Sequence, residues 1–405
     1  MAIVALGPGG EARAEGEDQT HEHCCRRRGR MTGPLPHPAD QGGTWVGRVW
    51  DPGVDGPCVV TVRDGALVDV TSREVATVRD LLELDDAVGW LRATVGRPLG
   101  RLGAEGIEYL APCDLQALKA CGVTFARSMV ERVIEERAAG DPAKAEAIRG
   151  RIAGLIGASL RDIVPGSAAA AAAKAALQGE GLWSQYLEVG IGPDAEVFTK
   201  GQPMSAVGFG ATVGLHPVSK WNNPEPEVVL SVDSRGRIRG ASLGNDVNLR
   251  DVEGRSALLL GKAKDNNAAC AIGPFIRLFD DSFGLDDVRA AELAMTVEGT
   301  EGFRMEGRSS MREISRDPAD LVAQTIGRHH QYPDGVMLFL GTMFAPVQDR
   351  DAPGQGFTHH TGDVVTICAP GLGALVNTVG LSTEAPQWTF GTAALMRNLA
   401  GRGLI

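Results

Sequence analysis

Two acidic residues separated by one position, Glu225 and Glu227, stand immediately before the apolar segment 228–230. In an extended chain, side chains two positions apart point to the same side, so both carboxylates should face one way. A hairpin turn follows, and the chain returns to a third carboxylate, Asp246. Three convergent carboxylates offer only oxygen ligands, which suit Mg²⁺, with Mn²⁺ or Ca²⁺ as substitutes. Taken alone, such a pair more often marks the solvent face of a strand.

Further polar residues lie where apolar segments end. Lys264 and Asp265 stand in a polar turn, and Gly341 and Thr342 directly follow the apolar segment 336–340. A backbone amide and a hydroxyl at the end of that segment can hold a carboxylate. Each feature also has an ordinary interpretation, as a surface ion pair or a plain strand end, so the inference depends on their combination.

Periodicity and turn signals predict the elements that must position these residues. Segment 59–70 predicts a β-hairpin with Asp64-Gly65 at its turn, and segment 75–91 predicts a helical stretch. Segments 228–232 and 237–243 flank a turn and predict the hairpin that carries the acidic residues. Further strands are predicted at 293–297, 336–340, 364–367 and 375–379, and helices at 128–137, at 167–178 and from Asp317-Pro318.

The chain divides by composition into three parts. Residues 1–40 are rich in Gly, Glu, Pro and Arg without an apolar period, which predicts a disordered N-terminal extension. Residues 41–111 predict a small N-terminal α+β domain, and residues 112–405 a long catalytic domain rich in strands. The predicted fold class is therefore α+β, with a rolled or barrel-like sheet in the second domain.

Taken in order, these motifs resemble the fumarylacetoacetate hydrolase superfamily. The resemblance runs from about residue 115 to residue 379, and its specificity lies in the order of common pieces. Those pieces are Glu225-x-Glu227, segment 246–251 beginning at Asp246, Lys264, Gly341-Thr342, segment 362–365 and segment 371–379. Segment 196–200, with Phe198 and Lys200, is similar to the place where the family sets an aromatic residue and a lysine beside the site.

The resemblance implies a site, a fold and an assembly. Glu225, Glu227 and Asp246 would bind Mg²⁺, with a small 2-keto acid as substrate. The domain would be a rolled mixed β-sheet like that of the family, and the chain would form a homodimer or homotetramer. The implied substrate-binding residues are Thr342, Gly341, Lys200, Phe198, Asp265 and Arg250.

One departure from the family pattern bears on the reaction. Hydrolases of this family usually carry Gly-x-Asn-Tyr-x-x-His-x-x-Glu, whose histidine and glutamate activate water. Segment 122–131 keeps Glu131 but has Ser128 where the histidine should be. Serine cannot act as a general base near pH 7 without help, so a reaction that needs only enolisation is favoured. Ser128, Glu131 and Glu135 share one helix face, and either glutamate is the candidate for proton transfer, with Lys264 serving the enolate or the carboxylate.

Three blocks, 181–188, 221–227 and 388–391, are similar to the 2-keto-3-deoxy-pentonate dehydratase branch of the superfamily. That similarity implies loss of the 4-hydroxyl from 2-keto-3-deoxy-pentonate, formed from D-xylonate or D-arabinonate, to give 2-oxoglutarate semialdehyde. Three alternatives stay open. They are hydrolysis of a 2,4-diketo acid (an acylpyruvate or a diketo-deoxy sugar acid), decarboxylation of an oxaloacetate-like acid, and a metal-bound scaffold without catalysis.

Composition excludes other classes of function. The net charge of −11 argues against a nucleic-acid partner, because phosphate binding needs a basic surface. No apolar run approaches the roughly 20 residues of a membrane helix. Seven scattered cysteines without a CxxC spacing favour reduced thiols and a cytoplasmic location.

Overall fold

The structure, a computed structural model, describes residues 42–125, 163–179, 181, 183–346, 348–353 and 356–405. The predicted extension 1–40 and the predicted helix 128–137 lie outside these residues. The candidate proton-transfer residues Ser128, Glu131 and Glu135 therefore lie outside them as well.

Sixteen strands are formed within the described residues. They are β1 Trp45–Asp51, β2 Gly56–Arg63, β3 Ala66–Asp69, β4 Arg97–Arg101, β5 Glu108–Leu110, β6 Ala117–Gly122, β7 Glu196–Gly201, β8 Thr212–Leu215, β9 Pro226–Val232, β10 Ile238–Asp246, β11 Cys270–Leu278, β12 Glu292–Glu298, β13 Arg304–Ser310, β14 Val336–Phe339, β15 Val364–Ala369 and β16 Gly373–Leu381. Two sheets contain them all. One has the order β4-β3-β2-β1-β11-β10-β9-β14-β6-β7, with β5 paired to β1, and the other the order β13-β12-β15-β16-β8.

Both sheets are mixed, which confirms the predicted fold class. The pairs β14–β6 and β16–β8 are parallel, and the remaining pairs are antiparallel. β10 and β11 of the large sheet contact β15 and β16 of the small one. Leu230 and Leu243 from the large sheet share one hydrophobic cluster with Val365 and Leu375 from the small sheet. The predicted rolled sheet is thus two sheets packed on a common apolar core.

The large sheet continues across the predicted domain boundary at residue 112. β1 pairs with β11 through Trp45 and Arg277, so the N-terminal strands extend the sheet that carries the acidic residues. Arg48 is buried on β1, donates to Ala111 O and lies 3.8 Å from Asp114. Strands from both parts therefore belong to one sheet. The division into domains 41–111 and 112–405 stays a prediction.

Nine α-helices accompany the sheets in the described residues. They are α1 Val78–Glu83, α2 Ala87–Ala93, α3 Ala168–Gly179, α4 Gln185–Ile191, α5 Arg250–Glu253, α6 Leu260–Lys264, α7 Leu285–Arg289, α8 Pro318–Thr325 and α9 Thr392–Gly401. Short 3₁₀ turns lie at Ala257–Leu259 and Met311–Glu313. The helical stretch predicted at 75–91 forms two helices, because Asp86 caps a second helix by accepting from Gly89 N. The predicted cap at Asp317 is confirmed, since its side chain accepts from Ala319 N.

The predicted hairpins are confirmed by the pairing of β2 with β3 and of β9 with β10. Asp64 and Gly65, at φ 49° and 72°, take the left-handed conformations that a tight two-residue hairpin turn requires. β11 was not predicted. Its nine residues are all buried, so it lacks the alternation that identifies a half-exposed strand.

Cysteine pairing departs from the prediction at one position. Cys58, Cys113, Cys121 and Cys270 are free thiols, as the scattered pattern predicts. Cys368 is disulfide-bonded, so the prediction of reduced thiols is wrong for this residue. Among the described residues, the helices are all too short or too polar to cross a membrane.

Gly244, on β10 opposite Glu227, gives a test of this packing. A Cβ atom there would lie 2.3 Å from Phe339 Cε1 and 2.5 Å from Val229 Cγ2. We expect Gly244→Ala to lower the free energy of unfolding by about 1–3 kcal/mol, because overpacking forces neighbours off their positions. Gly261→Ala is the control, since nothing lies within 4 Å of its Cβ position and alanine favours helix α6. Chemical denaturation measures both, and equal stability of the Gly244 variant and wild type would contradict the packing.

Candidate metal centre

The three acidic residues that the sequence proposes as metal ligands lie together at one end of the large sheet. Glu225 precedes β9, Glu227 lies near its start, and Asp246 ends the neighbouring antiparallel strand β10. Asp246 N donates to Glu225 O at 3.0 Å, which fixes the two strand ends side by side. All three carboxylates are buried, and one oxygen from each lies within 4.8 Å of the others.

Two buried lysines balance this negative charge. Lys264 Nζ, from α6, lies 2.5 Å from Glu225 Oε2 and 2.9 Å from Asp246 Oδ2. Lys200 Nζ, from β7, lies 2.7 Å from Asp246 Oδ1 as an ion pair and donates to Val247 O and Lys264 O. The predicted substrate residue Lys200 is thus engaged by Asp246 and by backbone carbonyls.

These contacts set the protonation of the lysine and its partner. Burial opposes the charge of Lys264, but Asp246 and Glu225 outweigh it and raise the pKa of Lys264 well above its ordinary value. Burial likewise works against the charge of Asp246, yet Lys200 and Lys264 lower the pKa of Asp246 below its ordinary value. The ammonium of Lys264 and the carboxylate of Asp246 therefore stay charged at neutral pH.

The end of β14 supplies donors to the third carboxylate. Gly341 N donates to Glu227 Oε2 at 2.7 Å, and Thr342 Oγ1 lies 3.4 Å from Glu227 Oε1. Gly341 has φ 103°, and a Cβ there would lie 2.0 Å from Thr124 Oγ1, so only glycine fits. Burial, followed by Asp246 and Glu225, raises the pKa of Glu227 well above its ordinary value. Gly341 and Thr342, which the sequence predicts to hold a carboxylate, thus hold the carboxylate of Glu227.

Asparagines that sequence reasoning did not identify complete the surroundings of Glu225. Glu225 N donates to Asn245 Oδ1 at 3.1 Å. Asn248 Nδ2 donates to Glu225 Oε1 at 2.9 Å and to Glu253 Oε2 at 2.6 Å. A signal was present in the sequence, since Asn245 and Asn248 are amides in a buried segment around Asp246 and need partners there.

The other predicted substrate residues make separate contacts. The Phe198 ring centre lies 5.9 Å from Lys264 Nζ. Arg250 stacks on the Trp221 ring at 4.4 Å and donates to Pro346 O at 3.5 Å, beside the chain that follows Thr342. Asp265, next to Lys264, is exposed. Their roles toward a substrate stay proposals.

The carboxylate cluster fits a divalent cation. Octahedral Mg²⁺ with oxygens at 2.0–2.1 Å places those oxygens roughly 2.9–4.2 Å apart, so the 4.8 Å spread needs only a small inward movement. A cation also relieves the repulsion among three buried carboxylates. The donor set is all oxygen, which suits Mg²⁺ better than a soft metal.

A second group with metal-ligand spacing, Asp51, Cys58 and Asp69, does not fit a metal in the same way. Arg97 pairs with both Asp51 and Asp69, so a guanidinium already lies where a cation would have to bind these carboxylates. Burial raises the pKa of the Cys58 thiol to about 11, which keeps it protonated.

A cavity of about 760 Å³ lies apart from the acidic triad. It is lined by residues such as Trp50, Tyr109 and Phe390.

The mixed β fold thus brings three buried carboxylates together beside two lysines, in an arrangement that fits a divalent cation. Residues 191–380 match the family model described as fumarylacetoacetate (FAA) hydrolase C-terminal. In this segment, which is just under half of the chain, the sequence is similar to the fumarylacetoacetate hydrolase family.

Two curated relatives share this region. Over 194 residues, 48% of this chain and 63% of the relative, the sequence is 32% identical to a probable 2-keto-3-deoxyxylonate dehydratase of Haloferax volcanii. Over 187 residues, 45% of this chain and 58% of the relative, it is 30% identical to a 2-dehydro-3-deoxy-D-arabinonate dehydratase of Saccharolobus solfataricus. The chain spans about three fifths of the length of these relatives.

A solved structure shares the fold. It is that of a 2-keto-3-deoxy-D-arabinonate dehydratase complexed with magnesium and 2,5-dioxopentanoate. The TM-score is 0.57 at 18% sequence identity, over 83% of this chain and 99% of that chain. At this identity the similarity establishes the fold, and it agrees with the predicted family architecture.

A second buried network holds the chain beside the candidate centre. His359 Nδ1 lies 2.9 Å from Asp363 Oδ2, and Arg350 binds both oxygens of Asp363, at 2.6 and 2.7 Å. His359 N donates to Asn222 Oδ1, three residues before Glu225. Burial lowers the pKa of His359, Arg350 and His360 act in the same direction, and Asp363 only partly offsets them. His359 is therefore neutral in the folded protein at neutral pH.

His359 makes stability depend on pH below neutrality. Because its folded pKa lies below the unfolded value of about 6.5, its stabilising contribution is complete above that pH and is lost as pH falls through the folded pKa. We expect the stability gap between wild type and His359→Gln to shrink from pH 6.5 downward, by at most about 1.4 kcal/mol per pH unit. Urea denaturation between pH 8 and pH 5 measures it. The exposed His330→Gln variant should track wild type, and a gap that stays constant for His359→Gln would contradict a neutral buried imidazole.

Proposed function

We propose that this chain is a metal-dependent hydro-lyase that converts 2-keto-3-deoxy-pentonate, formed from D-xylonate or D-arabinonate, to 2-oxoglutarate semialdehyde. The observation that carries the proposal is the cluster of three buried carboxylates paired with Lys200 and Lys264. The two curated relatives, both named as dehydratases of this substrate class, support it. The compound bound in the similar structure, 2,5-dioxopentanoate, is the same compound as 2-oxoglutarate semialdehyde.

Glu225, Glu227 and Asp246 would hold one Mg²⁺, for which Mn²⁺ or Ca²⁺ could substitute. When bound, the cation supplies electrophilic stabilisation of negative charge on the substrate's carboxylate and 2-keto oxygens. Lys264 is charged and lies against two of these residues, so its ammonium can stabilise the oxygen that gains charge on enolisation. The Thr342 hydroxyl and the Phe198 ring would orient the carboxylate and the carbon chain.

The reaction needs one base and one acid. A base removes a proton from carbon 3, and the 4-hydroxyl leaves with a proton as water, which creates a double bond between carbons 3 and 4. A proton then moves from carbon 5 to carbon 3, and the resulting enol at carbons 4 and 5 tautomerises to the aldehyde. The overall change is the loss of one water molecule, without an external oxidant. Glu131 or Glu135 would transfer the proton at carbon 3.

Ser128 favours dehydration over hydrolysis. Cleavage of a carbon–carbon bond requires a base aimed at water, and Ser128 stands where the family's hydrolases place the water-activating histidine. Dehydration needs no activated water. The assembly we propose is a homodimer or homotetramer in the cytoplasm; the free thiols at four positions support this compartment, while the disulfide of Cys368 does not.

The direct test is turnover of purified full-length protein with Mg²⁺. We expect 2-keto-3-deoxy-pentonate to disappear with formation of 2-oxoglutarate semialdehyde, detected by mass spectrometry, and the activity to be abolished by a chelator and restored by added Mg²⁺. Asp246→Asn should remove activity by weakening the metal centre, while the exposed Glu292→Gln should not. Efficient cleavage of acylpyruvates, with 2-keto-3-deoxy-pentonates of both configurations left intact, would show that the chain is a hydrolase.

Glu131 gives a separate test of the proton-transfer assignment. We expect Glu131→Gln to lower kcat by a factor on the order of 10² to 10⁴, the range for one general acid–base group. Binding of a 2-keto acid should change little, because the metal ligands are untouched. Glu135→Gln is the matched comparison, and the variant with the larger loss identifies the base. Wild-type kcat in both variants would show that neither glutamate transfers the proton.

A further inference from the structure

Asn248 links the candidate metal ligand Glu225 to a fourth carboxylate. Its amide nitrogen donates to Glu225 Oε1 at 2.9 Å and to Glu253 Oε2 at 2.6 Å. Asn248 is 1% exposed, whereas Glu253 is partly exposed at the end of α5. An amide nitrogen has two hydrogens, so each carboxylate receives one of them.

The two carboxylates together fix the orientation of the amide. If the side chain were rotated by 180°, the carbonyl oxygen of Asn248 would face two carboxylate oxygens at hydrogen-bond distance, which is repulsive. Removing the Glu253 carboxylate removes one of the two hydrogen bonds that favour this orientation of the amide. The backbone of Asn248 is already fixed, because it exchanges two hydrogen bonds of 3.0 Å with the backbone of Asn223.

Glu225 is held at both oxygens as a result. Oε1 accepts from Asn248, and Oε2 lies 2.5 Å from Lys264 Nζ. Without the donor at Oε1, the Glu225 carboxylate loses one of the contacts that fix its orientation, while the ion pair of Oε2 with Lys264 remains. A carboxylate whose orientation is no longer fixed is less well prepared to bind a cation, so cation affinity should fall.

We propose that Asn248 and Glu253 are positioning residues: Glu253 orients the Asn248 amide, and the amide holds Glu225 in the orientation that binds a divalent cation. The inference rests on the proposed metal centre and adds to it a pair of residues outside the cation's own ligands. Outer residues of this kind commonly change metal affinity by 10- to 100-fold. Glu253 also lies close enough to Lys264 to raise the pKa of that lysine, which places the fourth carboxylate at the same site.

The test is calorimetric titration of Mg²⁺ into full-length protein without substrate. We expect Glu253→Ala to weaken Mg²⁺ binding about tenfold. Glu253→Gln keeps an oxygen that accepts from the amide, so its Kd should stay within about threefold of wild type. Asn248→Ala removes the donor itself and should weaken binding at least as much as Glu253→Ala.

The control is Glu292→Ala, which removes an exposed carboxylate on β12 that accepts from Ser310 Oγ. Its Kd should equal that of wild type, and melting temperatures of all variants report whether they fold. Wild-type affinity in Glu253→Ala and Asn248→Ala would overturn the positioning role. Equal weakening in Glu253→Gln and Glu253→Ala would overturn it too, because charge and not orientation would then matter. No Mg²⁺ binding by folded wild type would instead overturn the metal centre on which the inference rests.

Discussion

Repulsion among three buried carboxylates is the constraint on which the rest of this structure depends. Glu225, Glu227 and Asp246 are each at most 2% exposed, and burial of an uncompensated carboxylate costs several kcal/mol. Every oxygen in the cluster has a nearby partner: two lysines, a backbone amide, a hydroxyl or a side-chain amide. The site thus exists only because separate elements deliver these partners to one point.

The large sheet is what delivers them. β9 and β10 bring the carboxylates together, β14 places Gly341 beside Glu227, and β7 carries Lys200 to Asp246. β9, β10 and β14 are adjacent and β7 lies beyond β6, so the relative positions of these donors follow from the hydrogen-bonded register of a single sheet. Lys264 is the exception, because it comes from the short helix α6 and not from a strand.

Local signals in the sequence predicted the elements but not their arrangement. The Asp64-Gly65 turn and the Asp317 cap act within a few residues, and both were predicted correctly. β11 is buried on both faces, and the order of strands depends on pairing between distant segments, so neither could be read from periodicity. The acidic triad was located because its spacing and the family resemblance agree. The contacts of Lys200 and of Glu253 were missed because they arise only when β7 and α5 pack against the strand ends.

The balance of charge explains which ligands the site suits. Four carboxylates, those of the triad and Glu253, meet two ammonium groups from Lys200 and Lys264. When all are ionised, the cluster carries two excess negative charges, which one divalent cation neutralises. A monovalent cation would leave one buried charge uncompensated, and in a low-dielectric site such a charge is costly.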